Sequence, residues 1–169
     1  SSAASDVYKR QKYGLEVFEE VSAKYNKCKL CMFGMCDNSN LPNYVEYYQN
    51  PTKQKLVDLY SDADIFLFPS LEEGWGLTPL EAMACGCIVV GTNTGFVLDI
   101  GKNEENMMIS EPGNLKQMRE NIDIILNNKD LRNNIIENAI KTVEKLNWNN
   151  SCAQLEKILK TTCKIEERR

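Results

Sequence analysis

The sequence predicts an α/β domain whose strands form a doubly wound parallel sheet of the Rossmann-like type. Short apolar runs alternate along the chain with segments in which apolar residues recur at helical spacing. The apolar runs are continuous rather than alternating with polar residues, which is typical of strands that helices cover on both faces. At 169 residues, of which 43% are hydrophobic, the chain has the size of one domain and can bury a core.

The predicted elements follow in chain order. Leu15, Phe18 and Val21 recur at helical spacing and predict a first helix. Apolar runs predict strands at 29–33, 65–68, 88–90 and 107–109. Further helices are expected at 52–60, 115–126, 130–146 and 148–159, and the polar stretch 37–51 is expected to be a loop. Residues 1–11 are small and polar, so we predict a non-native or disordered scar there and one domain over residues 12–169.

The composition excludes several classes of function. The formal net charge is -4 and the mean hydropathy is -0.42, which argues against a basic nucleic-acid-binding or membrane-surface module. The sequence contains no histidine, so any chemistry must use carboxylates, Lys, Arg or the backbone. No apolar run approaches the roughly 20 residues of a membrane span, and we expect a cytoplasmic protein.

The seven cysteines are odd in number and scattered through apolar segments, which predicts reduced thiols that serve as small core residues. The alternative is a zinc site formed by Cys28, Cys31 and Cys36. It is disfavoured because no second closely spaced pair completes four ligands, and because Cys28 and Cys31 would lie on opposite faces of a strand.

The segment 69–86 is the strongest candidate for a binding site, because ligands of parallel sheets bind beyond the carboxyl ends of the strands. It follows the strand 65–68 and leads into a helix. Thr78 is the expected N-cap, with Pro79 at the first helical position and Glu81 at the third, as in a capping box. Gly86 is expected to end the helix.

The start of that helix predicts an anion site. Gly74 and Gly76 let the backbone approach a ligand, and amide groups near Leu77 and Thr78 lie at the positive end of the helix dipole. With a diphosphate bound there, Glu73 and Glu81 could accept hydrogen bonds from hydroxyls on either side. The simpler interpretation also stands: Glu81 can be a capping residue only, and Glu73 a solvated loop acid.

Residues 73–86 resemble the signature of the retaining glycosyltransferases of family 4, whose two glutamates stand eight positions apart, as Glu73 and Glu81 do. The segments 59–70 and 89–95 and the late Trp148 agree with that family in order and spacing. The resemblance implies a GT-B type enzyme with two Rossmann-like domains facing across a cleft. This chain would be the carboxyl-terminal, donor-binding domain, with the domain's first strand lost together with residues 1–11.

The resemblance also implies roles for single residues. Glu73 would contact hydroxyls of the transferred sugar and is the expected catalytic residue, and Glu81 would contact the ribose. Trp75 stands where the family more often has Phe or Tyr, and Lys12 is the best match for a lysine that neutralises the diphosphate. The donor-binding residues implied in this way are Gly74, Trp75, Gly76, Leu77, Thr78, Glu81 and Lys12.

The implied reaction is the transfer, with retention, of a hexose or deoxyhexose from a nucleotide diphosphate sugar to a glycan or lipid-linked acceptor. No cofactor and no metal are expected. The expected partners are the nucleotide sugar, the acceptor and an amino-terminal Rossmann-like domain that could associate peripherally with a membrane, but no nucleic acid. A non-catalytic nucleotide-sugar-binding module and another GT-B type enzyme remain alternatives.

Overall fold

The computed structural model describes residues 2–35 and 40–162, with side chains from residue 11 to residue 161 in the same ranges. Helices and strands alternate through most of this part of the chain. They are α1 (Ser2–Lys24), β1 (Leu30–Gly34), β2 (Val45–Gln49), α2 (Lys53–Asp62), β3 (Ile65–Phe68), α3 (Leu77–Ala84), β4 (Ile88–Thr92), α4 (Val97–Ile100), β5 (Met108–Ser110), α5 (Leu115–Asn127), α6 (Lys129–Glu144) and α7 (Trp148–Thr162).

Every strand pairing among the described residues is parallel, as predicted. β1 pairs with β2, and β3, β4 and β5 form a separate sheet with β4 in the centre. In that sheet Ile65 lies opposite Ile88, and Val90 lies opposite Met108. All five residues of β4 are buried, which explains why its sequence is apolar without alternation.

Helices cover both faces of the three-stranded sheet. Ile88 and Val90 belong to one buried cluster together with Val17 of α1 and Ile122 of α5. Val89, between them in sequence, belongs to a second cluster on the opposite face, whose members from α2, α3 and α6 are Tyr60, Leu80, Ala82, Met83 and Ala139. The predicted α/β fold with a helix layer on each face is therefore confirmed.

Two short elements depart from the prediction. β2 lies inside the stretch 37–51 that was expected to be a loop. Glu46 and Gln49 are exposed and its other three residues are half-buried, so it lacks the apolar run that marks the other strands. The four-residue helix α4 was not predicted either, because so short a segment shows no helical period.

Helix α1 begins at Ser2 and continues without interruption to Lys24. The domain boundary predicted at residue 12 therefore falls inside a helix and stays a prediction. Within α1, Val17 and Val21 are buried against α5. Ion pairs between Arg119 and Glu20 (2.9 Å) and between Lys24 and Asp123 (2.6 Å) join the same two helices at the surface.

The cysteines are less uniformly buried than expected. Cys87 is buried, and burial raises the pKa of its thiol to about 12. Cys28, Cys31 and Cys152 are exposed, so the core interpretation is wrong for these three. No three side chains of the described residues could hold a metal together. Cys36 of the alternative zinc site and Cys163 lie outside the described residues.

Candidate functional site

The site predicted from the sequence lies where β3 and β4 end side by side. Because these strands pair in parallel, the segments that follow them meet at one edge of the sheet. We call residues 69–76, between β3 and α3, the glutamate loop, and residues 93–96, between β4 and α4, the β4–α4 loop. The predicted site residues from Glu73 to Thr78 all lie in the glutamate loop or in the first turn of α3.

Gly76 makes the turn from the glutamate loop into α3. Its φ of 88° lies in the left-handed region that favours glycine. A β-carbon at this position would stand 3.1 Å from Cζ of Phe68 and 3.3 Å from Cγ of Glu73, so a side chain there would crowd both. Gly74 differs, because no described residue lies within 4 Å of the position of its missing β-carbon.

Helix α3 begins two residues earlier than the capping-box prediction requires. Its N-cap is Gly76 rather than Thr78, and Pro79 occupies its third position rather than its first. A proline fits either place, because the amides of the first turn have no partner within the helix. The turn at Gly76 decides the boundary, and the carboxylate of Glu81 has its partner in another helix instead of capping this one.

The carboxyl end of α3 agrees with the prediction. Gly86 adopts a positive φ of 79° directly after the C-cap Cys85. The amide of Gly86 donates to the carbonyl of Met83 (3.1 Å), and that of Cys87 donates to the carbonyl of Ala82 (3.0 Å). These two bonds form a Schellman motif, which passes the chain directly into β4.

The amino end of α3 is open to solvent. Gly76 has no side chain to cap the helix, and Leu77 and Thr78 are both exposed. Pro79 contributes no amide proton and is buried with Leu80. The amides of Leu77 and Thr78 therefore stand at the positive end of the helix dipole without a side-chain cap, as an anion site requires.

Tyr60 of α2 holds Glu81 in place. Its hydroxyl donates to Oε2 of Glu81 at 3.2 Å, while its ring is only 3% exposed. The ring packs edge-on against Phe33 of β1 and Phe66 of β3, with both centroid distances at 5.7 Å. Burial, and then the neighbouring charge of Glu81, raise the pKa of Tyr60 well above its usual range, so the hydroxyl stays a donor at neutral pH. Glu81 itself is exposed and keeps further lone pairs for a ligand.

Glu73 is half-buried at the bend of the glutamate loop. Its Oε1 accepts a hydrogen bond from the amide of Gly74 at 3.2 Å. The next residue, Trp75, leaves 39% of its surface exposed, while its carbonyl accepts from the amide of Phe96 in the β4–α4 loop at 2.8 Å. The loop thus presents a carboxylate and an aromatic face beside the open end of α3.

Lys12 lies on α1 with an exposed side chain. Gly14 of the same helix faces the start of the glutamate loop, since a β-carbon there would stand 3.8 Å from Cγ of Pro69. The assignment of Lys12 to the site stays a prediction.

A comparison with protein families decides the affiliation of the chain. The model of the glycosyl transferases group 1 family matches residues 2–142. The chain belongs to this family. The match includes the glutamate loop, α3, Tyr60 and the β4–α4 loop of the site described above.

One relative and two solved structures illustrate what the chain is similar to. The chain is 29% identical over 139 residues to the capsular polysaccharide biosynthesis glycosyltransferase CapM of Staphylococcus aureus, which covers 77% of this chain and 37% of CapM. The fold resembles that of sucrose-phosphate synthase from Thermosynechococcus elongatus, with a TM-score of 0.72, 22% identity and coverage of 89% of this chain and 42% of that one. A mutant of TarM from S. aureus, in complex with fondaparinux, alpha-GlcNAc-glycerol and UDP, gives a TM-score of 0.71 at 24% identity over 89% of this chain and 32% of that one. The chain thus spans less than half the length of each of these three proteins.

Two features of the candidate site could not be found from the sequence. Tyr60 stands 21 positions before Glu81, in a helix whose pattern shows only that one face is buried. A buried tyrosine hydroxyl needs a partner, which is a usable signal, but the sequence does not say which one. The support that the β4–α4 loop gives to Trp75 is also invisible, because it runs through backbone atoms.

Proposed function

We propose that this chain is the nucleotide-sugar-binding domain of a retaining glycosyltransferase of family 4, which transfers a hexose or deoxyhexose to a glycan or lipid-linked acceptor. The observation that supports it is the uncapped amino end of α3 with Glu73 before it and Glu81 one turn along it. Membership of the group 1 family and the UDP bound to the similarly folded TarM agree with a nucleotide diphosphate sugar as donor.

The proposed mode of binding follows the charges of the site. The diphosphate accepts hydrogen bonds from the amides of Leu77 and Thr78, and the helix dipole stabilises its negative charge. Glu81 accepts from the ribose hydroxyls, and Tyr60 keeps its carboxylate in place. Glu73 accepts from hydroxyls of the transferred sugar beside Gly74.

The proposed catalysis is electrostatic. When the bond between sugar and diphosphate breaks, negative charge grows on the leaving diphosphate, and preoriented amides beside it stabilise that charge more than they stabilise the bound ground state. Lys12 would add a positive charge. Glu73 orients the sugar during transfer, and we propose that the reaction needs no metal ion.

The sheet supports the proposal that further polypeptide completes the domain. No hydrogen bonds join β1 to β3 among the described residues, although both are continuous apolar strands of the kind found in sheet interiors. Tyr60 lies against both strands, with its ring 5.7 Å from the rings of Phe33 and of Phe66. An added strand between β1 and β3 would pair with both of their unpaired edges.

The remaining partners are proposals of the same kind. An amino-terminal Rossmann-like domain would bring the acceptor to the donor and could associate with a membrane surface. No helix of the described residues is long and apolar enough to cross a bilayer. We propose a cytoplasmic location and no role in binding nucleic acid.

Calorimetric titration with UDP, GDP, dTDP and their sugars tests the function. Saturable binding of one nucleotide is expected, and Glu81→Ala should weaken it. Glu73→Ala should weaken binding of the nucleotide sugar more than binding of the bare nucleotide. Glu137→Ala, which removes an exposed carboxylate on α6, is the matched control and should bind as the unaltered chain does.

Two results would contradict the proposal. If the folded chain binds none of these nucleotides or nucleotide sugars, the donor site is not where we place it. If Glu73→Ala weakens both kinds of ligand equally, the division of roles between the two glutamates is wrong.

A further inference from the structure

The tip of the glutamate loop rests on the β4–α4 loop. The amide of Phe96 donates to the carbonyl of Trp75 at 2.8 Å, and the ring of Phe96 is fully buried. Gly95 precedes it with a positive φ of 58°. A β-carbon on Gly95 would lie 2.6 Å from the carbonyl oxygen of Trp75 and 3.1 Å from Cβ of Glu73. The two loops are therefore in direct contact at the residue that carries the carboxylate.

The start of the glutamate loop, at Ser70, is held by the last residue of β4. The hydroxyl of Thr92, in a side chain that is 2% exposed, donates to the carbonyl of Ser70 at 2.5 Å and lies 3.3 Å from the carbonyl of Phe68. Ser70 is itself buried. Because this bond is shielded from water, its loss would leave a desolvated carbonyl without that donor.

The close contact at Gly95 is not explained by a turn alone. A turn that needs a positive φ accepts asparagine or aspartate as well as glycine. The 2.6 Å approach to Trp75 excludes any β-carbon, since such atoms essentially never come within 3.0 Å of a neighbour. The lack of a side chain at Gly95 thus lets the glutamate loop approach the sheet edge closely.

We propose that Gly95 and Thr92 are positioning residues for Glu73. Gly95 fixes the glutamate loop at Trp75, and Thr92 fixes it at Ser70. By holding the loop, they determine where the Glu73 carboxylate and the Trp75 ring lie at the amino end of α3. Neither residue needs to touch a ligand. The inference rests on the proposed function where it concerns the donor, and on the loop contacts alone where it concerns Trp75.

Trp75 allows a test without any ligand. The chain has two tryptophans, so in a Trp148→Phe background the fluorescence reports Trp75 alone. Gly95→Ala forces the loop outward by about half an ångström or more, and acrylamide should then quench Trp75 at least about twice as strongly, because displacing a packed loop opens it to solvent. Gly14→Ala is the matched control, since the described residue that its added β-carbon meets is Pro69, at an ordinary 3.8 Å.

Thr92 provides a second pair of variants. Thr92→Val keeps the shape of the side chain but loses the hydroxyl, and it should raise the quenching of Trp75. Thr92→Ser retains the hydroxyl and should restore the original value. Thermal unfolding of each variant shows that it is folded, so the conclusion does not depend on Gly95→Ala being well tolerated.

Titration with UDP-glucose and GDP-mannose measures the effect on the donor. In Gly95→Ala, affinity for whichever of these binds the unaltered chain should fall about tenfold, the loss expected when a displaced Glu73 no longer accepts one hydrogen bond from the sugar. Affinity for the bare nucleotide should fall less, because Glu73 faces the sugar. A purely structural role would weaken both ligands alike.

The outcomes separate the two proposals. Unchanged quenching of Trp75 in folded Gly95→Ala and Thr92→Val overturns the inference. Raised quenching with unchanged affinity for the nucleotide sugar overturns the positioning role. If neither nucleotide sugar binds the unaltered chain, the proposed function fails, while the quenching of Trp75 still decides whether the two residues hold the loop.

Discussion

Replacing Tyr60 by phenylalanine removes one hydrogen bond from the site and little else. The phenylalanine ring can keep its edge-on contacts with Phe33 and Phe66, because the hydroxyl takes no part in them. What is lost is the donor that lies 3.2 Å from Oε2 of Glu81. The variant therefore asks whether Glu81 must be held in place in order to bind.

The magnitude follows from the surroundings of the two partners. A hydrogen bond to a charged group contributes about 1.5–3 kcal/mol. Glu81 is exposed, so water replaces the lost donor in part, and we expect about 1 kcal/mol in the binding of a nucleotide. That corresponds to a roughly fivefold weaker affinity. The free energy of unfolding should change less, since Tyr60→Phe also removes a buried hydroxyl that costs desolvation.

A double-mutant cycle with UDP and the other nucleotides is the assay. Calorimetry compares the original chain, Tyr60→Phe, Glu81→Ala and the double variant. If Tyr60 acts through Glu81, its substitution should have almost no further effect once the carboxylate is gone. A full fivefold loss in the Glu81→Ala background, or none in the original chain, would refute the reasoning.

Three further predictions concern stability and reactivity. Because the pKa of Tyr60 is raised, its contribution to stability is fully present below pH 10 and is lost as the pH rises further. Raising the pH above 10 should therefore lower the free energy of unfolding of the original chain more than that of Tyr60→Phe, and equal pH profiles would contradict this. Gly76→Ala should lower the free energy of unfolding by about 1–2 kcal/mol, the usual cost of a left-handed residue, in denaturant titrations, and no change would show that the turn can relax. Iodoacetamide at pH 8 should modify Cys152 well before Cys87 in peptide mapping, because burial holds the Cys87 pKa near 12; equal rates would contradict the burial.

The central strands could be predicted because their environment is uniform. β3 and β4 lie between helix layers, so nearly every position favours an apolar residue and the sequence shows continuous runs. β2 has Glu46 and Gln49 at exposed positions, where contact with water favours polar residues and interrupts the apolar run. Edge strands of this kind have a weaker local signal.

The residues of the site could be located, but not their supports. Glu73 and Glu81 can be located because they stand in one continuous segment that also contains Gly74 and Gly76. The predicted N-cap is wrong because the turn occurs at Gly76, where Phe68 and Glu73 leave no room for a β-carbon, and this crowding exists only after the sheet has formed. The same holds for Tyr60, whose partnership with Glu81 depends on α2 packing beside α3. Contacts between different helices and strands leave no signal in the local spacing of residues.

The way in which α3 is anchored affects how quickly an anion could be captured at its amino end. Pro79, Leu80, Ala82 and Met83 are buried on one side of this short helix, and the Schellman motif ties its other end to β4. The amides of Leu77 and Thr78 are thus oriented when the chain folds. The conformational entropy lost in ordering them is lost on folding and does not oppose binding. A diphosphate would meet a rigid site, so its association should need no slow closure of α3 and should approach the rate set by diffusion.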